Sequence, residues 1–160
     1  MKIKLFTTGG TIDKVYFDKR SEYQVGEPKI GGILREVNVN FEYECESLLQ
    51  KDSIDMTEKD RELISEKITL DKHQHIIVTH GTDTMIQTAQ KLQTMPNKVV
   101  VFTGSLEPAI FKSSDAIFNI GCAVGAVQSL PPGVYITMNG RIFDPHKVRK
   151  NLELNLFEDA

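Results

Sequence analysis

The 160-residue chain is poor in cysteine, in excess basic charge and in long apolar runs. Its two cysteines, Cys45 and Cys122, are too few for a disulfide framework and lack metal-ligand spacing. No apolar stretch of signal-peptide length comes after the opening "MKIKLFTTGG", and together these features predict a reducing, cytoplasmic setting. Lys and Arg number 19 against 22 Asp and Glu, a net charge of −3, which argues against a nucleic-acid partner. Apolar runs such as "VVVF" at 99–102 are far too short to span a bilayer. Internal repeats, low-complexity tracts and a second compositional unit are also missing. What is there is ordinary for a globular chain, 40% hydrophobic and 26% charged, and is expected to fold as one domain over 1–160.

Strand and helix patterns alternate along that domain. "KIKLFTT" (2–8) predicts a strand ending at two glycines, and 13–29 is polar and irregular, a long loop of the kind kept for function. "FEYEC" (41–45) alternates as a strand with one wet face, and Thr57 offers an N-cap to a helix carrying Leu63, Ile64 and Ile68. "HIIVTH" (75–80) and "KVVVFTG" (98–104) are continuous apolar strands, as when both sheet faces are covered. Met85, Ala89 and Leu92 mark a helix between them. A further helix starts at Ser113 or Ser114, with Gly121 and Gly125 expected to bring it close to the sheet. "GVYITM" (133–138) is a strand, succeeded by a tight turn at "NGR" (139–141). The alternation predicts an α/β fold, a three-layer sandwich with a mainly parallel, flavodoxin-like sheet. Ligands in such folds sit beyond the carboxyl ends of the strands, where "TTGGT", "THGTDT" and "TGSLEP" all fall.

Each cluster has a plain structural explanation beside the chemical one. In "TTGGT" the glycines can simply turn the chain while Thr11 caps the segment after it. Alternatively they expose the Thr11 hydroxyl to an electrophile, with backbone N–H groups free to hold an oxyanion. A phosphate loop is disfavoured because neither glycine-rich phosphate motif is matched. Asp83 can serve as a helix cap, and His80 can satisfy a strand-end backbone group. Capping does not account for two further threonines and a glycine around that carboxylate. His73 and His75 have no third ligand and are expected to be solvated, so no metal is assigned. Cys122 is expected in the core and "EKDRELISEK" on a solvated helix face. Lys147, Arg149 and Lys150 suit surface charge by spacing alone, while a lysine buried near Thr82 would be a base candidate.

Taken together, "TTGGTI", "YQVG", "DSIDM", "IVTHGTDTM", "VVFTGS" with "SSDAIFNIGCAV", and "GVYITMNGRIFD" resemble, in order, the N-terminal domain of the bacterial-type L-asparaginases. The resemblance spans almost the whole chain, and "TGGT" succeeded by "HGTDT" is its most specific part. It implies hydrolysis of L-asparagine to L-aspartate and ammonia without metal or cofactor. Thr11 matches the threonine that attacks the amide carbonyl. Tyr23 matches the tyrosine on the loop that closes over substrate and assists the nucleophile. Ser53 matches a residue binding the substrate α-carboxylate. Thr82 and Asp83 match the second threonine and the aspartate that also contacts the substrate ammonium. Lys150 matches the lysine joining them, with Lys147 as a rival.

The chain also departs from the family pattern. Family members are about twice as long, enough for two domains, and their C-terminal domain completes a neighbouring subunit's site. Ile54 stands where glutamine is usual, Glu107 where arginine is common, and the stretch from Lys150 to Phe157 is short. Two functions are therefore expected as alternatives: an amidohydrolase acting on a small-molecule amide, or a non-catalytic relative that binds amides or amino acids or serves as an interaction domain. A homodimer or higher homo-oligomer is expected, with "IFNIGCAVGAV" as its surface.

Overall fold

A computed structural model describes residues 1–17, 22–92 and 95–160. The chain runs β1 (Lys2–Gly9), a 3-10 turn (Thr11–Asp13), β2 (Lys14–Phe17), β3 (Glu22–Val25), α1 (Ile30–Glu36) and β4 (Glu42–Lys51). Next come a second 3-10 turn (Ser53–Asp55), α2 (Glu58–Leu70), β5 (His75–Thr79), α3 (Met85–Lys91) and β6 (Val99–Thr103). The rest is α4 (Ala116–Ser129), β7 (Gly133–Met138), β8 (Arg141–Phe143), β9 (Val148–Asn151) and β10 (Leu156–Asp159).

The main sheet has the order β4-β1-β5-β6-β7-β8. Its first five strands are parallel and β8 returns antiparallel. Numbered among themselves, the parallel strands read 2-1-3-4-5, the flavodoxin-like order. The continuous apolar strands have a direct cause. Ile76 and Val78 of β5 face one core with Phe102 of β6, Ile64 and Ile68 of α2, and Met85 of α3. Ile77 faces the opposite core with Val101, Ile33 and Leu34 of α1, and Ala123 and Val127 of α4. Both faces are covered, so every position of β5 and β6 beyond the half-buried His75 at the strand entrance is buried.

Several expectations need correction. The described part of 13–29 is not irregular: β2 and β3 pair antiparallel, with Tyr16 opposite Tyr23, while 18–21 lie outside the described residues. Each strand is only four residues long, and "KVYF" and "EYQV" stay exposed or half-buried without a strict alternation in burial, which leaves little periodicity to detect. The Glu-bearing face of β4 is not simply wet either. Glu44 and Glu46 each lie 2.8 Å from Nζ of Lys4, a lysine buried in β1. His73 is buried rather than solvated, its Nδ1 2.7 Å from the Asp71 carboxylate. The fourth helix is flanked by Asp115 rather than by either serine. Its glycines face away from the sheet: a Cβ at Gly121 or Gly125 would meet nothing within 4 Å. Ala116, Ala123 and Ala126 occupy the sheet-facing side instead. Residues 147–150 do not form a helical turn, since Val148–Asn151 is strand β9, paired antiparallel with β10.

Among the described residues no helix is long and apolar enough to cross a membrane.

Candidate active site

Three strand ends define the site's floor. Thr7 of β1 pairs in register with Thr79 of β5, and Thr79 with Thr103 of β6. A row of buried threonines therefore marks the carboxyl edge, and the three polar clusters leave the sheet from it. The Thr8 hydroxyl crosses to the Thr79 carbonyl at 2.9 Å.

The glycines are demanded by how closely these turns abut. Gly10 has φ of +88°, and a Cβ there would run into the backbone of Gly81. A Cβ on Gly81 would in turn lie 2.6 Å from Oγ of Ser53. Only hydrogen at both positions lets the "TTGGT", "DSIDM" and "THGTDT" segments stack, and it also relieves the strain of positive φ at Gly10. Thr11 and Thr82 each come directly after one of these two touching glycines, which brings residues 71 apart in sequence to adjoining turns.

Thr11 is half-buried at the head of its 3-10 turn, and among the described residues its hydroxyl makes no hydrogen bond. Thr82 is held firmly by comparison. Lys150, reaching over from β9, donates from Nζ to Thr82 Oγ1 at 2.9 Å and to Asp83 Oδ1 at 2.7 Å. The Lys150 side chain is 14% exposed and that of Asp83 46%, so the pair opens toward solvent on the carboxylate side. Lys147, the rival, is 80% exposed and lies 3.8 Å from Asp144. Strand geometry decides between them, because the alternating side chains of β9 carry Val148 and Lys150 to the inner face.

Ser53 is fully buried. Its carbonyl accepts the Thr84 hydroxyl at 2.8 Å, and its own Oγ lies 3.4 Å from the Thr84 N–H. It therefore braces the loop holding Thr82 and Asp83, and its hydroxyl is covered. The neighbouring Ile54 is 67% exposed. Tyr23 sits on β3, half exposed, with its ring edge-on to Tyr16 and to Phe111, both at 5.6 Å between centroids. A cavity of about 330 Å³ lies beside Asp83 and Lys150, walled by Ile86, Gln90 and Leu152. A second, of about 370 Å³, lies between Tyr23, Lys51 and Asp52.

Sequence reasoning passed over the residues that hold the loops. Asp115 accepts the Leu106 and Glu107 N–H groups at 3.0 and 3.1 Å, fixing "TGSLEP". Asn119 donates to the Gly104 carbonyl at 3.0 Å. The Ala109 N–H then reaches the Ile12 carbonyl at 3.1 Å, fastening this loop to the Thr11 turn. Glu107 points outward and accepts the Ser113 hydroxyl at 2.8 Å. The only available sign was a cluster of Ser, Asp and Asn at a helix start, which capping alone explains.

His80 fulfils the structural alternative. Its Nδ1 is 2.8 Å from the Gly81 carbonyl and its Nε2 2.8 Å from the Thr88 hydroxyl. A carbonyl can only accept, so Nδ1 carries the proton and Nε2 accepts from Thr88. Complete burial holds His80 down at about 4, keeping the ring neutral. Among the described residues no group of three or more His, Cys, Asp or Glu side chains could hold a metal ion.

The fold and site define an α/β domain of flavodoxin-like order, with a threonine, an aspartate and a lysine joined at the carboxyl edge of the sheet. Comparison with known proteins is specific about which one. Residues 2–156 match the family model "Asparaginase, N-terminal", and the chain belongs to that family. It is 30% identical over 168 residues to the L-asparaginase of Thermococcus kodakarensis, covering 99% of this chain and 51% of that protein. L-asparaginase 2 of Escherichia coli is 31% identical over 166 residues, covering 92% of this chain and 46% of its own. The solved L-asparaginase I of Vibrio cholerae superposes with a TM-score of 0.85 at 27% identity, covering 99% of this chain and 51% of that one. The chain thus spans about half the length of the relatives it matches.

Proposed function

We propose that this chain is an L-asparaginase-like amidohydrolase that cleaves L-asparagine or a related primary amide to acid and ammonia, with Thr11 as nucleophile. The observation that carries this reading is the Lys150 ammonium bridging Thr82 and Asp83 from another strand. A helix cap needs no such cation. In the proposed cycle Thr11 Oγ attacks the amide carbonyl and its proton passes to the leaving nitrogen, so that ammonia departs and an acyl-enzyme ester remains. Tyr23, on the hairpin beside the Thr11 turn, assists that first transfer. Thr82, oriented by Lys150 and Asp83, then positions the water that attacks the ester, and Asp83 also receives the substrate ammonium. Backbone N–H groups of the glycine-rich turns hold the oxyanion. No metal or cofactor takes part in this scheme.

The exposed Ile54 favours one second reading, a relative that binds an amide without turning it over, or an interaction domain. Isoleucine cannot hydrogen-bond the substrate head group, a contact worth about 1.5–3 kcal/mol to a charged group. N-blocked amides are therefore expected to be tolerated better than in a relative with glutamine there. We further propose a cytoplasmic homo-oligomer. Ile117 and Phe118 lie exposed on α4, and a helix without a single charged residue in Ala116–Ser129 makes a poor solvent face.

Ammonia release across asparagine, glutamine, their N-acyl and peptide forms and simple primary amides separates enzyme from binder. With a reactive amide analogue, mass spectrometry should place the adduct on Thr11, and Thr11→Ala should abolish it. An adduct on Thr82 with Thr11 unmodified would overturn the assignment.

A further inference from the structure

One residue ties the β2–β3 hairpin to the Thr11 turn. Asp13 closes the 3-10 turn that Thr11 opens, its N–H bonded to the Gly10 carbonyl at 3.1 Å. Its own carbonyl accepts the Gly26 N–H at 2.8 Å, one residue past the end of β3. Its carboxylate Oδ1 accepts the Lys29 N–H at 2.9 Å. Both bonds grip the chain as it leaves the strand carrying Tyr23. The residue is 1% exposed, and its second oxygen, Oδ2, is buried with no hydrogen-bond partner. An anchor alone needs only an acceptor, which asparagine would supply. Burying a carboxylate with one oxygen unsolvated is a costly way to obtain it.

We propose that Asp13 is a positioning residue for the reaction assigned above: it clamps the outgoing strand of the Tyr23 hairpin to the turn that carries Thr11, and ionisation of its buried carboxyl loosens that clamp. The proposal rests on reading Thr11 and Tyr23 as catalytic partners. Burial pushes the Asp13 carboxyl up to about 6, against the pull of the Lys29 amide and charge, while Glu27 adds to the rise. The Asp13 charge is also felt by the Cys45 thiol on β4, which burial of its sulfur raises first and Asp13 next, against Lys4 and Arg35. Opening the base of the hairpin would hydrate the carboxyl and return it toward its ordinary value near 3.8. Protons bound more tightly in the closed form are released on opening, so the closed base is firmest below pH 4. Opening becomes easier as pH rises to 6, by up to about a hundredfold for a shift of roughly two units. Asp13→Asn keeps the Oδ1 acceptor and removes the charge, and so should hold the base closed at every pH.

The test is amide hydrogen exchange at Gly26 and Lys29 at pH 5 and 7.5, corrected for intrinsic rates, alongside kcat and KM for ammonia release. In the unmodified chain protection at both amides should fall at least about tenfold between the two pH values, while β5 and β6 stay constant. Asp13→Asn should abolish that fall. Asp13→Ala should lose protection at both pH values and lower kcat about tenfold with KM within about twofold, a loss that Asp13→Asn rescues. An Asp13→Asn chain that keeps the pH step, or an Asp13→Ala chain with unchanged exchange, overturns the proposal whatever the activity. A chain that shows these exchange changes but releases no ammonia from any amide supports the clamp and removes the enzymatic reading instead.

Discussion

Replacing Lys150 with methionine separates a catalytic ammonium from a stabilising one. The Nζ lies 2.7 Å from the Asp83 carboxylate. At an effective dielectric of about 20 the bare attraction at that distance is about 6 kcal/mol. The Asp83 side chain is 46% exposed, however, so solvent screens the pair and most of the attraction is already offset by desolvation of the lysine. About 1 kcal/mol of net stability remains, a fall in Tm of about 2–4 °C for a chain of this size. Methionine retains the apolar stem, so packing beneath Thr82 should survive. Catalysis is far more exposed to the change. Thr82 loses the donor at 2.9 Å that fixes its hydroxyl, and in the proposed cycle the attacking water loses the positive charge beside it. Groups that orient or move a proton in the transition state are worth about 10²–10⁴ in rate. Lys150→Met should therefore cut kcat/KM for ammonia release by about two to four orders of magnitude while its circular-dichroism melt barely moves. Lys147→Met, on an 80% exposed side chain, should stay within about twofold of the unmodified chain. If the two variants exchange these phenotypes, or if Lys150→Met loses activity only because it has unfolded, the assignment of Lys150 is wrong.

Gly81→Ala should prove more damaging than any conservative surface change, because its methyl would lie 2.6 Å from Ser53 Oγ in a packed turn; a loss of about 2–3 kcal/mol is expected by urea unfolding, and a loss under 0.5 kcal/mol would mean that the turns are not stacked as described. His80, held down at about 4 from an ordinary 6.5, contributes stability that is full above pH 6.5 and is lost as pH falls toward 4, about 3 kcal/mol in all. Asp13 has the opposite sign: its carboxyl is raised to about 6 from 3.8, so its contribution is full below pH 3.8 and is lost by about 3 kcal/mol as pH rises through 6. The two nearly cancel between pH 4 and 6.5, so His80→Gln should expose a stability that falls with rising pH and Asp13→Asn one that falls with falling pH. Urea titrations at pH 4, 5 and 6.5 check both slopes, and parallel curves for all three chains would refute the pairing.

The layers of this protein were legible in its sequence because periodic burial leaves a periodic trace. "IIV" in β5 and "VVVF" in β6 run apolar without a break because helices cover both faces of the sheet, and three polar clusters at strand ends point to one edge. Thr11, Thr82 and Asp83 stand out in the same way, as hydroxyls and a carboxylate gathered at those strand ends, and their proposed roles are what the reactive-analogue experiment tests. What a short window of sequence cannot record is contact between distant segments. Lys150 and Lys147 are indistinguishable by composition and spacing; alternation along β9 turns Lys150 toward Thr82, while Lys147 lies in solvent on the bend before the strand. Gly121 and Gly125 look suited to close helix packing, yet the helix is rotated so that alanines meet the sheet. The strands 14–17 and 22–25 are short and stay exposed or half-buried without a strict alternation in burial, so little in their pattern announces the antiparallel pair. Asp13 is a single charged letter between two strands, and only tertiary packing buries it, withholds water from Oδ2 and sets it against the amides of Gly26 and Lys29. Local burial is written into each element by its own side chains; the choice of which lysine, which face and which carboxylate acts belongs to the packing of elements tens of residues apart.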